Sequence, residues 1–493
     1  MGVSQVQANT KVFGASTQFD AITALNNTLE TNLDDFTLCS VLSTIFKESV
    51  ILGNSSTYEA FNAGYWSQQQ EDVDSYCIFQ PAKATEVAIS VLLSRVTQCS
   101  FAVKSGGHAA FTGASNIQGG ITIDMSKLSS ISLSEDQRIA CVGTGNTWYD
   151  VYTYLEPMNL SVVGGRVADI GVGGLTTGVT ADGTIINANP GSYPDLYWAL
   201  RGGGNNFGIV TRFDLFTFPQ GLMWGGARLI SMSYNETITS AFTDFGTNAP
   251  SDPNAALIVA FGYSSSLDQY LASIDLEYAK PITSPPPIFE NFTTIPFISN
   301  TIAPNRSLSQ LTLELNAFNP IGQRETFWTA TFKLNSTLTK YILTTFTTFT
   351  TPLKNIPGLV PACVFQVITT PTLSQMSKNG GNALGLSSAE PLLLLNLAFR
   401  WSYPSDDPAI LAATANIVSK SIAQARAWGL DVEFLYMNYA SQFQDVLPTY
   451  NATNYATLKG VAAKYDPDRV FQVLQPGYFK LSGGAPDKNW PSR

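Results

Sequence analysis

The segment FAVKSGGH, residues 101–108, is an apolar strand that runs into a glycine-rich turn and ends at His108. His108 is the one histidine among 493 residues, so proton chemistry spread over several imidazoles is excluded. Gly106 and Gly107 allow the backbone to approach a ligand where a Cβ would clash. The segment therefore predicts a ligand-binding turn. The alternative is an ordinary solvated loop histidine.

The sequence around this turn predicts a strand-helix-strand unit. A strand is expected at 77–81, an amphipathic helix at 86–93, and then the strand at 101–103 that delivers His108. Such a unit ending in a glycine turn is typical of ligand-binding folds. The other elements expected in this half of the chain are helical segments within 20–50, strands at 120–124 and 138–142, and a helix at 149–155.

Three more glycine-rich stretches follow, at 143–148, 163–174 and 199–208. Loops of this kind present backbone N–H groups to phosphate oxygens, which suits an acidic protein that binds a dinucleotide with few cations. No loop has the GxGxxG pattern with a downstream acidic residue, and none is a GxxxxGK[ST] loop, so Rossmann and P-loop sites are excluded. Together the loops predict a phosphate-bearing cofactor. For each loop alone, a set of tight turns is an equal alternative.

Composition narrows the function further. The net charge of −10, from 27 basic and 37 acidic side chains, excludes the basic surface of a nucleic-acid binder. The chain contains no apolar run of about 18 residues, so we expect no membrane span. The five cysteines lack the close paired spacing of a zinc site, and we expect no metal.

Secretion is favoured by two features of the composition. Only 13% of residues are charged, and there are eight N-x-[ST] sequons, at Asn26, Asn54, Asn159, Asn235, Asn291, Asn305, Asn335 and Asn451. The first residues lack a signal-peptide core, which leaves open a removed signal or an intracellular protein with unused sequons. In a secreted glycoprotein we expect Cys39 and Cys99 to form a disulfide.

A change in amino-acid composition after Pro219 predicts a second domain. Glycine clusters thin out, and Thr, Ser, Phe and Pro alternate up to a proline-rich break at 284–287. We expect residues 221–425 to form antiparallel strands backed by helices, such as the one at 408–429. The sequence shows no internal repeat.

Several sequence motifs of this chain resemble those of known protein families. KSGGH and GGITIDM resemble the FAD-binding domain of the vanillyl-alcohol-oxidase superfamily, of the PCMH type. VGTGNTWYDVY, VGGRVADIGVGGL, DLYWALRGGGNNFGIVTRFDL and YDPDRVFQVLQPGYFKL resemble fungal berberine-bridge-enzyme-like oxidoreductases. The resemblance implies an α+β protein. A two-subdomain FAD-binding domain, residues 1–220 with its core at about 73–220, is completed by a C-terminal segment at 426–493, and 221–425 form the substrate domain.

The resemblance also implies the cofactor and its contacts. His108 matches the histidine that bonds covalently to the 8α-methyl group of FAD. The pyrophosphate and ribityl chain are expected at Lys104, Ser105, Gly106, Gly107, Phe111, Thr112, Gly113, Ala114, Ser115 and Asn116. The flavin edge is expected at Gly143, Gly145, Asn146 and Trp148, and the diphosphate near Gly165, Gly173 and Gly174. The adenine or the dimethylbenzene ring is expected at Gly208, Ile209 and Val210, and Tyr478 and Gln475 are expected to reach the flavin.

The implied reaction is oxidation of an alcohol, an amine or an activated C–H group. A base removes a proton, hydride passes to the flavin and molecular oxygen reoxidises it. In a strand at 434–439, Tyr436 and Asn438 share one face. Asn438 cannot take a proton, so Tyr436 is the candidate base if the site lowers its pKa; the alternative is an ordinary buried tyrosine. We expect a monomer that acts on a small molecule, a secondary metabolite or a carbohydrate.

One departure from the family pattern lies between Gly174 and Gly183. Relatives carry there a further strand, an aromatic stretch and a cysteine that forms a second bond to FAD, whereas this chain passes directly from Gly178 to Val179. We therefore expect attachment through His108 alone and incomplete flavin occupancy. The alternative function is a flavin-poor binding or storage glycoprotein.

Overall fold

The computed structural model describes residues 35–175 and 179–488. The N-terminal half of the helical region expected within 20–50, and the junction at Gly178, lie outside the described residues. The remaining chain forms three sheets with helices packed against them, which confirms the expected α+β class.

The first sheet contains the strand that precedes His108. Its order is β1-β2-β4-β3, with β2, β4 and β3 parallel to one another and β1 antiparallel to β2. The buried side of β2 packs with the first and fourth helices in one core. The strands are β1 (Val50–Leu52), β2 (Cys77–Phe79), β3 (Phe101–Lys104) and β4 (Ile121–Asp124), and the helices are α1 (Asp35–Phe46), α2 (Ser56–Asn62), α3 (Gln68–Glu71) and α4 (Ala84–Thr97).

The second sheet is antiparallel, in the order β5-β6-β8-β7. The helix that follows β6 begins at a capping box, in which Thr147 and Asp150 bond reciprocally to each other's backbone N–H groups. This cap fixes the chain direction directly after the loop at 143–146. The elements are β5 (Ile131–Leu133), β6 (Ile139–Gly143), α5 (Trp148–Leu155), β7 (Leu160–Val162), α6 (Pro194–Leu200) and β8 (Arg212–Pro219).

The third sheet has nine strands and is antiparallel throughout, in the order β12-β9-β11-β10-β15-β16-β14-β17, with β13 also paired to β9. Its strands are β9 (Met223–Ser231), β10 (Ala255–Ser264), β11 (Gln269–Tyr278), β12 (Ser299–Asn300), β13 (Ala303–Arg306), β14 (Arg324–Lys333), β15 (Val360–Ile368), β16 (Leu392–Trp401) and β17 (Asp431–Val432). The helices from here to the C-terminal end are α7 (Asn235–Asn248), α8 (Glu290–Thr293), α9 (Leu308–Asn316), α10 (Ser336–Thr350), α11 (Thr370–Gln375), α12 (Asp407–Ala427), α13 (Ala452–Tyr465) and α14 (Val470–Val473).

The two faces of this large sheet differ in character. Along β10, Leu257, Val259 and Phe261 alternate into a core that is covered by α7, α10 and α12. The opposite face contacts the flavin-domain half of the chain, since Phe327 of β14 lies against Trp66. We call this second face the inner face. Antiparallel strands backed by helices are therefore present after residue 220 as expected, while the expected domain boundaries stay a prediction.

Most elements expected before residue 160 are present, with shifts of up to four residues at their ends. The disulfide prediction is wrong. The bridge joins Cys39 to Cys77, whose Cα atoms are 6.0 Å apart. Cys77 begins β2, which packs against α1, whereas Cys99 lies buried beyond the end of α4 and donates to its neighbour Ser100 O.

The expected strand at 434–439 is also wrong. Residues Met437–Tyr439 form a 3₁₀ turn, in which the N–H of Tyr439 donates to Tyr436 O at 3.0 Å. Tyr436 and Asn438 therefore do not share a strand face.

Neither a membrane-spanning helix nor a metal-ligand cluster occurs in the described residues. No helix there is long and apolar enough to cross a membrane. Over the same ranges, no group of three or more His, Cys, Asp or Glu side chains is arranged to hold a metal ion.

Candidate functional site

Three glycine-rich loops meet at Ser105, directly before the His108 turn. The Ser105 hydroxyl donates to Thr144 O at 2.7 Å and accepts from Gly173 N at 3.1 Å. Gly106 and Gly171 are in backbone contact, so that a Cβ on Gly106 would lie 2.9 Å from Gly171 Cα and overlap Gly171 N. The loops at 104–108, 143–146 and 171–174 thus form one continuous platform, which we call the glycine platform.

Within the platform, several predicted contact residues have a packing role. A Cβ on Gly143 would overlap Leu128 O, and one on Gly145 would overlap Met125 O. The Asn146 side chain donates to Gly143 O at 2.8 Å. These contacts explain why glycine is required there without reference to a ligand, and the expected flavin contacts of these residues stay a prediction.

Trp148 lies against the next loop. Its ring covers Gly164 and Gly165, where any Cβ would overlap it, and its indole N–H is buried without a partner among the described residues. Gly174 lies in the same 3₁₀ turn as Gly173, at Val172–Leu175.

The segment 208–210 closes the platform on the side of the short junction. Ile209 N donates to Val179 O at 2.8 Å, and Gly208 packs so closely on Val179 that a Cβ would overlap its carbonyl oxygen. Thr144 Oγ1 donates to Val210 O at 3.1 Å. Val179, the first described residue after the junction, is therefore held directly against the platform.

His108 is stacked on Trp66, with ring centroids 4.1 Å apart and an angle of 12° between the planes. Its Nε2 atom is buried and has no partner among the described residues. Burial lowers the pKa of His108 to about 4, so the imidazole is neutral at neutral pH. In a neutral imidazole one of the two ring nitrogens carries a free lone pair.

Gln70, which the sequence did not indicate, organises the loop after His108. Its amide donates to Gly107 O at 3.0 Å and to Ala109 O at 2.7 Å, and its Oε1 accepts from Ser115 Oγ at 2.5 Å. The Asn116 side chain donates to Gln70 O. One buried side chain thus fixes the backbone from 107 to 116.

The C-terminal segment reaches the same loop. Tyr478 stacks on Phe111 with ring centroids 6.0 Å apart. Gly477 packs on Gly113 O, and Ala114 lies against the same apolar cluster as Tyr478. Thr112 Oγ1 donates to Gln69 O at 2.8 Å. Gln475 is buried, with an Oε1 atom that has no partner in the described chain.

A row of neighbouring aromatic side chains, which we call the aromatic chain, runs from His108 to the large sheet. Trp66 lies 5.3 Å from Phe327, and Phe327 lies 6.1 Å from Tyr439, measured between ring centroids. The Tyr439 oxygen accepts a hydrogen bond from Arg166 Nη2 at 3.0 Å and another from Gln366 Nε2 at 3.1 Å. The Tyr439 oxygen thus has two donors, one from a loop of the flavin-domain half and one from the large sheet.

The expected base, Tyr436, has a different environment. Burial, followed by the neighbouring Tyr439, raises the pKa of Tyr436 rather than lowering it. Asn438 Nδ2 donates to the Tyr436 oxygen at 3.0 Å, and the Tyr478 hydroxyl lies 3.5 Å from Asn438 Oδ1. The structure thus corrects the expected lowering of the Tyr436 pKa. It brings Tyr436 and Asn438 together, but in a protonated hydrogen-bonded group beside Tyr439.

Tyr439, Arg166, Gln366 and Trp66 are the residues that the sequence analysis missed. Arg166 is 273 residues from Tyr439, and Gln366 is 73 residues from it. No local pattern connects them. The one available signal was the position of Tyr439 in the motif-like run 434–439.

A cavity of about 300 Å³ lies away from His108, beside the short junction. It borders the residues that directly follow 176–178, whose own structure is outside the described ranges. Its walls include Arg95, Thr180, Ala181, Asp182, Thr184, Ile186, Tyr193, Lys464, Tyr465, Pro467 and Asp468.

Comparison with known proteins shows the class of protein to which this platform and the three sheets belong. Residues 76–188 match the FAD binding domain family. The chain is 36% identical to the FAD-dependent monooxygenase tpcD of Cochliobolus heterostrophus, over 94% of each chain. It is 32% identical to the FAD-dependent monooxygenase sdcF of Emericella nidulans, over 90% of this chain and 98% of that one.

Solved structures share the fold. 6-Hydroxy-D-nicotine oxidase from Arthrobacter nicotinovorans superposes with a TM-score of 0.71 at 19% identity, over 86% of this chain and 96% of that one. Xylooligosaccharide oxidase from Myceliophthora thermophila does so with a TM-score of 0.68 at 18% identity, over 92% of this chain and 100% of that one. The chain belongs to the same family of FAD-dependent oxidoreductases as the two relatives, and its fold is that of the two oxidases.

Proposed function

We propose that this oxidoreductase oxidises a CH–OH, CH–NH or activated C–H group of a small organic molecule at Tyr439. The observation that carries the proposal is the double hydrogen bond from Arg166 and Gln366 to one phenol oxygen, at the end of the aromatic chain that starts at His108. When bound, FAD would supply the acceptor for the hydride, which carries both electrons that leave the substrate.

The residues around His108 fit FAD. The buried Nε2 atom without a partner and the lowered pKa of His108 suit a nitrogen that bonds to carbon. The glycine platform brings backbone N–H groups of three loops together, which suits a diphosphate. We therefore propose covalent attachment through His108, with the platform and the segment 111–116 holding the rest of the cofactor.

Tyr439 is the proposed proton acceptor in place of Tyr436. Tyr439 first loses its own proton to solvent, and the Arg166 guanidinium stabilises the resulting phenolate. The substrate proton then passes to this oxygen, which becomes a neutral phenol that still accepts from Arg166 and Gln366. Tyr436 keeps its proton, because burial raises its pKa, and positions Asn438.

Molecular oxygen is the proposed electron acceptor, and hydrogen peroxide the expected product. The relatives named FAD-dependent monooxygenases favour a second candidate, in which one oxygen atom enters the substrate. Turnover under ¹⁸O₂ separates the two. Label in the organic product indicates the monooxygenase, and stoichiometric peroxide with unlabelled product indicates the oxidase.

We also propose a secreted glycoprotein. Five of the sequon asparagines are exposed in the described chain, namely Asn54, Asn159, Asn291, Asn305 and Asn451. Intact mass before and after glycosidase treatment of protein from a secreting fungal host tests this, and an unchanged mass would contradict it.

The decisive experiment is acid precipitation of the purified protein. Yellow colour that stays with the pellet, and a flavin-bearing peptide that contains His108, support covalent attachment. His108→Ala should release the flavin to the supernatant. A wild-type protein that is colourless after purification favours the alternative of a flavin-poor binding glycoprotein.

A further inference from the structure

Trp66 lies between His108 and the large sheet. Its indole ring is stacked on the His108 imidazole, with ring centroids 4.1 Å apart and an angle of 12° between the planes. Phe327, on the inner face of β14, contacts the same indole at a centroid distance of 5.3 Å. Trp66 is 3% exposed, and its backbone O accepts from Gly322 N at 3.0 Å. The indole is therefore held by the large sheet and the loop before it as well as by the histidine.

The backbone on both sides of the histidine is fixed by the segment that begins at Trp66. Gly107 O accepts from Trp66 N at 3.3 Å, and Ala109 O accepts from Ser67 Oγ at 2.8 Å. Each of these two carbonyl oxygens accepts a second bond, from Gln70 Nε2. The histidine side chain then keeps only its own two torsions, and the outer one, χ2, is broad for this residue type.

The stack supplies the missing restraint on the ring. An imidazole carries its nitrogen lone pair and its N–H in the plane of the ring. Because the indole lies within 12° of that plane and covers one face, a new bond to a ring nitrogen has to form at the ring edge. His108 Nε2, an atom of that edge, is buried and has no partner among the described residues. Trp66 thus determines the direction in which the histidine can bond.

We propose that Trp66 is the positioning residue for flavin attachment, because its indole sets the plane in which His108 meets the 8α-methyl carbon of FAD. The inference rests on the proposed function, in which His108 carries FAD. Attachment joins a ring nitrogen, through its lone pair, to the methyl carbon. One methyl C–H and the imidazole N–H each lose a proton, and the electron pair of the broken C–H bond stays on the flavin ring until dioxygen takes up two electrons and two protons as hydrogen peroxide. Trp66 takes no part in these transfers.

The test uses the full-length protein, purified from a riboflavin-limited secreting host and then supplied with FAD. The fraction of bound flavin that stays with acid-precipitated protein is followed over time. Trp66→Leu should slow attachment at least about tenfold, since a misplacement of about 1 Å can cost about 10²-fold in rate. Trp66→Phe keeps an aromatic face and should stay within about threefold of the wild type. Total flavin bound before acid treatment should stay within about twofold in both variants.

Trp328→Leu is the matched control. Trp328 is 6% exposed, and its indole N–H is buried without a partner in the described chain, as is that of Trp66. Its ring, however, stacks on Phe443 in the helix-covered core of the large sheet. This variant loses similar packing and should keep the wild-type attachment rate.

The outcomes separate the role of Trp66 from the proposed function. An unchanged rate in Trp66→Leu, equal slowing in Trp66→Phe, or the same slowing in Trp328→Leu would each overturn the positioning role while His108 still carries the flavin. A fall in total bound flavin with an unchanged attachment rate would reduce Trp66 to a packing residue and overturn the role as well. A wild type that never gains acid-stable flavin contradicts the proposed function, and the role of Trp66 with it.

A second measurement does not depend on the folding of a variant. His108 is the one histidine of the sequence, so flavin-loaded wild-type protein with isotopically labelled histidine gives a single imidazole signal. Its ring protons should show nuclear Overhauser contacts to the protons of an indole. The absence of such contacts would overturn the stack and the proposal, even if Trp66→Leu does not fold.

Discussion

Substitution of Gly106 by alanine tests whether the glycine platform is what retains the flavin. The new Cβ would meet only backbone, at 2.9 Å from Gly171 Cα, at 3.3 Å from Asp169 O and nearer still to Gly171 N. Backbone cannot rotate away as a side chain can. The two segments must separate by about 1 Å to restore ordinary contact distances.

That separation breaks further interactions. The Ser105 hydroxyl bonds of 2.7 Å and 3.1 Å to the neighbouring loops would stretch beyond hydrogen-bonding range. Overpacking costs about 1–3 kcal/mol and each of the two lost hydrogen bonds about 1 kcal/mol, so Gly106→Ala should lower the free energy of unfolding by about 3–5 kcal/mol. Flavin content should fall well below that of the wild type.

The assay is thermal unfolding, together with the ratio of flavin to protein absorbance. Gly460→Ala is the control, because Gly460 lies exposed in α13 with no atom within 4 Å of its Cβ position. The control should gain about 0.5–1 kcal/mol and keep its flavin. A Gly106→Ala protein with wild-type melting temperature and full flavin would show that the loops are not rigidly packed and would refute the reasoning.

Three further outcomes are expected. In flavin-free protein, the pKa of His108 is about 4 when folded and about 6.5 when unfolded, so lowering the pH from 6.5 to 4 should reduce the free energy of unfolding by up to about 3 kcal/mol. In a His108→Gln variant, urea titration should show no such pH-dependent loss, and a pH profile identical to that of the wild type would contradict the prediction. Non-reducing peptide mapping should find Cys39 bonded to Cys77. Replacing both by alanine should lower the free energy of unfolding by roughly 4 kcal/mol through loop-closure entropy, measured by the same urea titration, and a loss smaller than about 1 kcal/mol would contradict the prediction. With the best substrate found in a screen, Tyr439→Phe should slow anaerobic flavin reduction about 10²–10³-fold, and Tyr436→Phe should slow it less than about tenfold. The reverse order would indicate that Tyr436 is the base.

The elements next to His108 could be predicted from the sequence because their signals are local. Alternating or helical periodicity and the following glycines identify β3, α4 and the turn at 105–108 without knowledge of the rest of the chain. The family motifs then supplied the α+β class and the cofactor. The pairing of Cys39 could not be predicted in this way, since it depends on which strand packs against α1.

The reacting end of the site could not be predicted for a similar reason. Tyr439 was visible in a dense motif, but the residues that distinguish it from Tyr436 are Arg166 and Gln366, which lie on other loops and sheets. The choice between two tyrosines depends on burial and hydrogen bonds, and these exist only in the folded chain. Residues 437–439 form a turn and no strand, because the N–H of Tyr439 donates to the nearby Tyr436 O and to no neighbouring strand.

The meeting of Arg166, Gln366 and Tyr439 at one oxygen has a consequence for how the protein matures. A loop of the cofactor half, a strand of the large sheet and the returning C-terminal segment must all dock before that oxygen has both of its donors. A partly folded chain already holding a cofactor would lack the charge stabilisation at the phenol. Under the proposed function, reactivity toward substrate would therefore begin only after all three parts of the chain have docked, so it would report completed folding.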